Sequence, residues 1–287
     1  MIAETTLGSG QPSRTAWQVA MLRAAHQLLD EPLVLDDPLA LAILGADAAA
    51  QLRDDPYPCN DPMLRGLRAG LVVRSRFAEE EAERGIADGV RQVVVLGAGL
   101  DTFAYRHGHE VDDLRLFEVD HPATQAWKRG LLAGAGIGVP ANLTYVASDF
   151  EHVTLAQALA AAGFDATQPA CFSWLGVTMY LTEAAIVETL RFVAALPSPS
   201  SICFDFQAAP AQLNPVERVI VEGIVERMAA SGEPWLSLFD PEKLGEMVRA
   251  LGFGAVRMIG ADEMNRLYLS RRKDGLHCRC QMVSATV

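Results

Sequence analysis

The residues of this chain with the clearest chemical potential cluster around Gly97-Ala98-Gly99. Val93, Val94, Val95 and Leu96 form an unbroken apolar run, the pattern of a parallel strand buried on both faces. The run ends in glycines, which let the chain turn sharply and let backbone approach a ligand. A strand running into a glycine turn is the nucleotide-binding corner of a doubly wound α/β domain. A dinucleotide fingerprint, G-x-G-x-x-G, needs a third glycine where this chain has Thr102. Asp101 stands beside that position. Its carboxylate would repel cofactor phosphates but not a cationic ligand. The corner therefore favours S-adenosylmethionine, which has no phosphate and carries a sulfonium and an ammonium, over a nicotinamide dinucleotide. Capping of the next helix is the alternative role for Asp101, and the two are compatible.

Three more positions extend the pattern. Glu118 and Asp120 lie two apart in the strand-like Leu116–Asp120 and face one side of it. An acid about 20 residues past the glycines hydrogen-bonds ribose hydroxyls in such sites. Asp120, nearer the carboxyl end, takes that role, and Glu118 supports the loop or a glycine-turn amide. Ser148-Asp149-Phe150 ends another strand, where Asp149 would accept the adenine amino proton and Phe150 offers an apolar edge. Arg74 lies on the apolar stripe Leu64, Leu67, Leu71, Arg74, Ala78. A charge on such a stripe must be paired. The methionine carboxylate of S-adenosylmethionine is a fit bidentate partner, and an acid elsewhere in the chain is the alternative. Arg76 lies on another face.

The elements that must position these residues separate into regions. Residues 1–12 read as a flexible lead-in rich in Gly, Ser and Thr. Residues 13–90 read as a helical cap. It holds a helix capped by Ser13 or Thr15 and running to Leu29, a start at Asp36-Asp37-Pro38, and a long helix from Met63 to Arg84. Residues 91–206 alternate strands and helices, the signature of a mostly parallel sheet covered on both faces. Its strands are Gln92–Gly97, Arg115–Asp120, Leu143–Ala147, Ala170–Leu175 and Ser201–Phe206. Residues 207–240 form a lid insertion with a helix over Asn214–Ala230. Residues 241–287 carry a helix from Pro241 to Gly252 and two strands, Ala255–Ile259 and Arg266–Leu269. The fold class is α/β, with a seven-stranded, mostly parallel sheet and a single domain over 13–287.

Composition narrows the partners. The chain has 287 residues, half of them hydrophobic, and its 24 basic against 36 acidic residues leave a net charge of -12. That excess argues against nucleic acid, whose backbone requires a basic footprint, and against an anionic membrane surface. Apolar stretches such as Ile202–Phe206 fall far short of the ~20 residues of a membrane span. With no basic start and apolar core at the N-terminus, and five cysteines, an odd number, a reduced cytoplasmic protein is expected, monomeric or homodimeric. Cys278 and Cys280 lack a second half with ligand spacing, so no metal site is expected.

LGAGLDT, FEVDHP, SDF and SWLGVTMYLT, in this order and spacing, resemble the leucine carboxyl methyltransferase family of S-adenosylmethionine-dependent methyltransferases. TAWQVAMLRAA, LDDPLA and the RSRF around Arg74 fit the same pattern. The resemblance covers Ser13 to Gln207 and implies a class I, Rossmann-like methyltransferase fold. It implies that Arg74 holds the cofactor carboxylate, that Gly97, Ala98 and Gly99 form the turn, that Asp120 binds ribose, and that Asp149 and Phe150 flank adenine. Some relatives carry a glutamate where this chain has Leu175, so a cofactor contact is lost here or supplied by Asp101.

Methyl transfer to a carboxylate needs no base, whereas transfer to a hydroxyl does. Tyr180 is placed to orient an acceptor oxygen, and His121 is the candidate base. The helical cap and residues 207–238 would form the acceptor pocket, with Trp174, Met179, Tyr180, Trp235 and Phe239 as its walls. Such a pocket suits a small hydrophobic, polyketide-type acceptor. The alternative reading is a catalytically silent protein that binds the same cofactor.

Overall fold

The computed structural model describes residues 13–108, 111–148, 153–230 and 232–287. Three helices come first: α1 (Arg14–Leu29), α2 (Ala46–Asp54) and α3 (Pro62–Ala87). Then follow β1 (Gln92–Leu96), α4 (Phe103–His107), β2 (Arg115–Asp120), α5 (Pro122–Gly134), β3 (Leu143–Ala147), α6 (Leu155–Ala161), β4 (Cys171–Trp174), α7 (Glu183–Ala194) and β5 (Ser201–Asp205). The chain ends with α8 (Pro215–Ala230), α9 (Pro241–Ala250), β6 (Ala255–Ile259), α10 (Ala261–Met264) and β7 (Met282–Thr286).

The seven strands are ordered β3-β2-β1-β4-β5-β7-β6. The first five run parallel, and β7 is antiparallel to both β5 and β6. Strand order reverses direction at β1, which lies between β2 and β4. Ligands of open α/β sheets bind at such a switch point, outside the carboxyl ends of the strands. Alternation sends Val94, Leu96, Phe172, Trp174, Ile202 and Phe204 to one face, against Ile186, Leu190 and Val193 of α7. Val93 and Leu116 join the opposite core with α1 and α4. Ala69, Val73 and Phe77 of α3 pack with Cys203 and Met282.

Local chemistry sets the helix ends. Ser13 caps α1 by accepting from the Ala16 N–H at 3.1 Å. Asp61 and Asp240 cap α3 and α9, each with a proline opening the helix. A buried ionic cluster then ties α1 to α3 and to the C-terminal segment. Arg68 grips Asp30 through Nε at 2.8 Å and Nη2 at 3.2 Å, and Arg272 reaches Asp30 at 3.3 Å. His26 Nδ1 lies 2.7 Å from the same carboxylate, while its Nε2 faces the N–H groups of Val34 and Leu35 at 3.0 and 3.3 Å. Nε2 is therefore an acceptor and the ring proton sits on Nδ1.

Two expected elements differ. Arg266–Leu269 is not a strand: the chain continues from α10 as a wide helical turn over Asn265–Leu269, with Met264 and Leu269 buried on its inner side. Leu269 turns inward while Leu267 is half exposed, so the two do not share a buried face as they would in a strand. The seventh strand is instead β7, buried on both faces but built partly from Ser284 and Ala285, which carry little strand signal. Asp37-Pro38 begins a turn followed by a short 3-10 helix at Ala42–Leu44. Asp37 caps that turn by accepting from the Leu39 N–H with Oδ1, and its Oδ2 pairs with Arg23.

Candidate active site

Backbone bonds hold the first half of the glycine turn. Gly97 and Ala98 N–H groups both donate to the Val119 carbonyl, at 2.8 and 3.2 Å, so the turn is pinned to the end of β2. Gly97 and Gly99 adopt φ of +65 and +48, the left-handed region. A Cβ on Gly97 would come within 2.3 Å of Val177 Cγ2, and one on Gly99 within 3.2 Å of Ala16 Cβ. The first turn of α1 thus rests directly on the glycine turn.

Asp120 closes the turn from the next strand. Its Oδ2 accepts from Gly99 N–H at 2.5 Å and its Oδ1 from His121 N–H at 2.7 Å. Burial pushes this carboxyl above its ordinary value, and the two amide donors pull it part of the way back. Each oxygen keeps a second lone pair for an incoming hydroxyl. The glycine-turn amide therefore goes to Asp120 and not, as the sequence suggested, to Glu118. Glu118 is buried beneath α5 and pairs with the buried Lys128 at 2.7 Å. Burial raises the Glu118 carboxyl to about 7 against the pull of Lys128.

Arg74 reaches the carboxyl edge from α3. Its Nη1 lies 2.7 Å from Asp205 Oδ2 at the end of β5. Asp205 Oδ1 in turn accepts from Gly176 N–H at 2.6 Å. A Cβ on Gly176 would lie 2.7 Å from Arg74 Nη2, so this glycine keeps the guanidinium uncovered. Arg74 Nε is buried with no partner among the described residues. An arginine with one acid partner, an orphaned donor and a glycine above it fits a carboxylate such as that of the methionine half of S-adenosylmethionine. Arg76 points elsewhere and pairs with Glu80.

Asp101, one residue before the N-cap of α4, accepts from Phe103 N–H at 2.7 Å. With Leu175, Ser75, Glu79 and Ser173 it lines a narrow cleft of about 20 Å³ between α3 and the sheet. That is room for a water, not for a ligand. Behind the turn runs a buried ionic network. Asp37 pairs with Arg23 at 2.9 Å and accepts from Thr102 Oγ1 at 2.7 Å. Arg106 bridges Asp37, at 3.5 Å, and Glu79. Arg23 Nη2 also donates to the Leu100 carbonyl at 2.5 Å. The loop from Leu100 to Thr102 is thereby fixed to α1, α3 and α4.

Tyr180 is half-buried in the 3-10 turn after β4. Burial pushes its hydroxyl above the ordinary value, Trp235 and Thr15 oppose the shift, and Glu233 and Arg74 are its charged neighbours. Leu236 N–H donates to the Met179 carbonyl at 2.7 Å and Ser237 Oγ to the Leu181 carbonyl at 2.6 Å, which straps residues 235–237 along this turn. Thr15 Oγ1 donates to Glu233 Oε2. Of the five expected pocket walls only Tyr180 and Trp235 remain partly exposed. Trp174, Met179 and Phe239 are buried, Trp174 against Phe204, and belong to the core. His121 caps α5, its Nδ1 accepting from Ala123 N–H at 3.2 Å. Asp149 and Phe150 lie outside the described residues.

Asp205, Thr15 and Glu233 were not legible as site residues. Asp205 ends an apolar strand in the manner of Asp120, and that was the available signal. Thr15 and Glu233 are 218 positions apart, and only the fold joins them.

The chain is similar in sequence and fold to known proteins. The leucine carboxyl methyltransferase family pattern matches residues 16–194. YktD of Bacillus subtilis (strain 168), named for S-adenosyl-L-methionine-dependent methyl transfer, is 31% identical over 93% of this chain and 94% of its own length. Rv3787c of Mycobacterium tuberculosis, named likewise, is 34% identical over 69% of this chain, an alignment that spans 65% of that protein. Among crystal structures, a protein from Thermobifida fusca YX named for methyl transfer shares the fold with a TM-score of 0.59 at 17% identity, covering 100% of this chain and 98% of that one. The chain belongs to the leucine carboxyl methyltransferase family, whose members use S-adenosyl-L-methionine as methyl donor.

Proposed function

We propose that the chain transfers a methyl group to an oxygen of a small, apolar acceptor. The supporting observation is one of placement. The partly unpartnered Arg74, the glycine turn and Asp120 stand along the carboxyl edge of the sheet, and Tyr180, neighbour to both Arg74 and Trp235, stands half-buried beside them. In this reading Arg74 holds the methionine carboxylate, Gly97, Ala98 and Gly99 give close backbone approach, and Asp120 takes the ribose hydroxyls. Asp149 and Phe150 flank adenine. Glu118 acts from beneath by fixing Lys128 and the end of β2. Asp101 and Leu175 shape the cleft behind the turn.

When bound, S-adenosylmethionine supplies a methyl group on a sulfonium, already activated for displacement. The protein's own contribution is alignment, which is worth about 7–11 kcal/mol where reactants are well held. Tyr180 orients the acceptor oxygen. His121 has its Nδ1 committed as a helix cap, accepting from the Ala123 N–H, which leaves Nε2 as its other ring nitrogen. No helix among the described residues is long and apolar enough to cross a membrane, and no group of metal-binding side chains occurs among them.

The test is calorimetry with S-adenosylmethionine followed by transfer of labelled methyl to a panel of aromatic acids and phenols. Binding with label in small-molecule product supports the proposal. Label found only in polypeptide, or tight binding with no product in any panel, overturns it; the latter outcome would favour the silent binding protein.

A further inference from the structure

Glu233 stands at the acceptor side of the site with its position fixed from two directions. Thr15 Oγ1 bonds its Oε2, and Thr15 precedes Ala16, whose Cβ faces Gly99. Three residues further on, Leu236 and Ser237 are tied to the Met179 carbonyl at 2.7 and 3.3 Å, next to Tyr180. The carboxylate therefore lies between the glycine turn and the tyrosine, where an acceptor must enter. It is only partly buried, so it keeps an oxygen free for a ligand. Trp235 adds an indole N–H beside the Tyr180 hydroxyl.

This arrangement suits one oxygen acceptor and not the other. An anionic carboxylate brought beside the partly buried Glu233 meets a like charge, which costs affinity. A hydroxyl brought there finds an acceptor for the proton that it must lose. We infer that Glu233 makes this protein select a hydroxyl-bearing aromatic acceptor, a phenol, over the matching carboxylate, and takes the phenolic proton during transfer. As the acceptor oxygen gains the methyl carbon, its O–H proton passes to a Glu233 oxygen. The electron pair of the broken S–C bond stays on sulfur, and the product is an aryl methyl ether. Glu233 returns the proton to water.

The inference rests on the proposed oxygen methylation, but its test can fail separately. With S-adenosylhomocysteine present near neutral pH, the affinities of 2-naphthol and 2-naphthoate are measured by calorimetry on the wild type and on Glu233→Gln. The two probes share shape and differ in charge. The wild type is expected to prefer naphthol by at least about tenfold. Glu233→Gln should shrink that ratio several-fold by gaining naphthoate affinity, with S-adenosylhomocysteine affinity within about twofold of wild type. Thr15→Val keeps the charge and should keep the preference. Equal or tighter naphthoate binding by the wild type, no binding of either probe, or an unchanged ratio in Glu233→Gln overturns the inference. The wild-type ratio decides even if the variant misfolds. Labelled methyl in base-labile esters, with no ethers, leaves the oxygen methyltransferase reading standing and removes the role of Glu233. The naphthol preference without any methyl product removes that reading and with it the proton-transfer step.

Discussion

At the scale of single residues, Asp120 and Gly97 carry the sharpest expectations. Asp120 orders Gly99 and presents its remaining lone pairs to the ligand side. Asp120→Asn keeps an acceptor for the Gly99 amide but removes the charge. Charged hydrogen bonds are worth about 1.5–3 kcal/mol, so calorimetry should show cofactor affinity falling by about 10–100-fold with the fold intact. Unchanged affinity would count against the ribose role. Gly97→Ala asks for a left-handed alanine whose Cβ drives into Val177. Overpacking of this kind costs about 1–3 kcal/mol, to be read as a lower urea midpoint together with weaker cofactor binding. Both residues were visible in the sequence because each sits at a strand end marked by an apolar run. Asp205 and Glu233 were not. Asp205 acts through Arg74, 131 positions away, and through the Gly176 amide, and Glu233 through a strap whose path no local pattern encodes.

Among the elements, the helical cap is held by ionic clusters as well as apolar packing, and one cluster gives a pH dependence. Burial opposes ionisation of Asp30, but hydrogen bonds from His26 and Arg68 outweigh it and hold the pKa at about 2. A depressed carboxyl contributes stability that is fully present above its unfolded value of 3.8 and is lost as pH falls through the folded one. The shift amounts to about 2 kcal/mol, lost between roughly pH 4 and pH 2. Urea unfolding across that window should show the loss in wild type. Asp30→Asn should remove the dependence and, by leaving Arg68 buried without its partner, cost about 3–5 kcal/mol at neutral pH. A wild-type slope equal to that of the variant would contradict this. The same scale shows what sequence pattern resolves. β1 to β5 announce themselves as apolar runs closed by glycine or acid, and α9 by its Asp-Pro start and its glycine just past the end. β7 is silent because a strand inserted between two others is chosen by its neighbours, so Ser284 and Ala285 suffice.

For the whole molecule, the decisive feature is how the cap is joined to the cofactor corner. Asp37 binds Arg23 of α1 and Thr102 of the glycine loop, while Arg106 of α4 carries the link to Glu79 of α3. These side chains are all buried or nearly so, so the pairs are weakly screened and each depends on the others. Ala16 seated on Gly99 completes the joint. Cap and sheet should therefore open as one unit. In hydrogen exchange read by mass spectrometry, peptides from α1 and β1 should show the same opening free energy in the wild type, and bound S-adenosylmethionine should raise both together. Asp37→Ala strands Arg23 and Arg106 without their shared partner, a change of about 3–5 kcal/mol. The α1 peptide should then exchange well before β1, and cofactor affinity should fall although Asp37 lies behind the turn. Exchange of α1 ahead of β1 already in the wild type would mean that the cap is an independent flap, and that the glycine turn is shaped by the sheet alone.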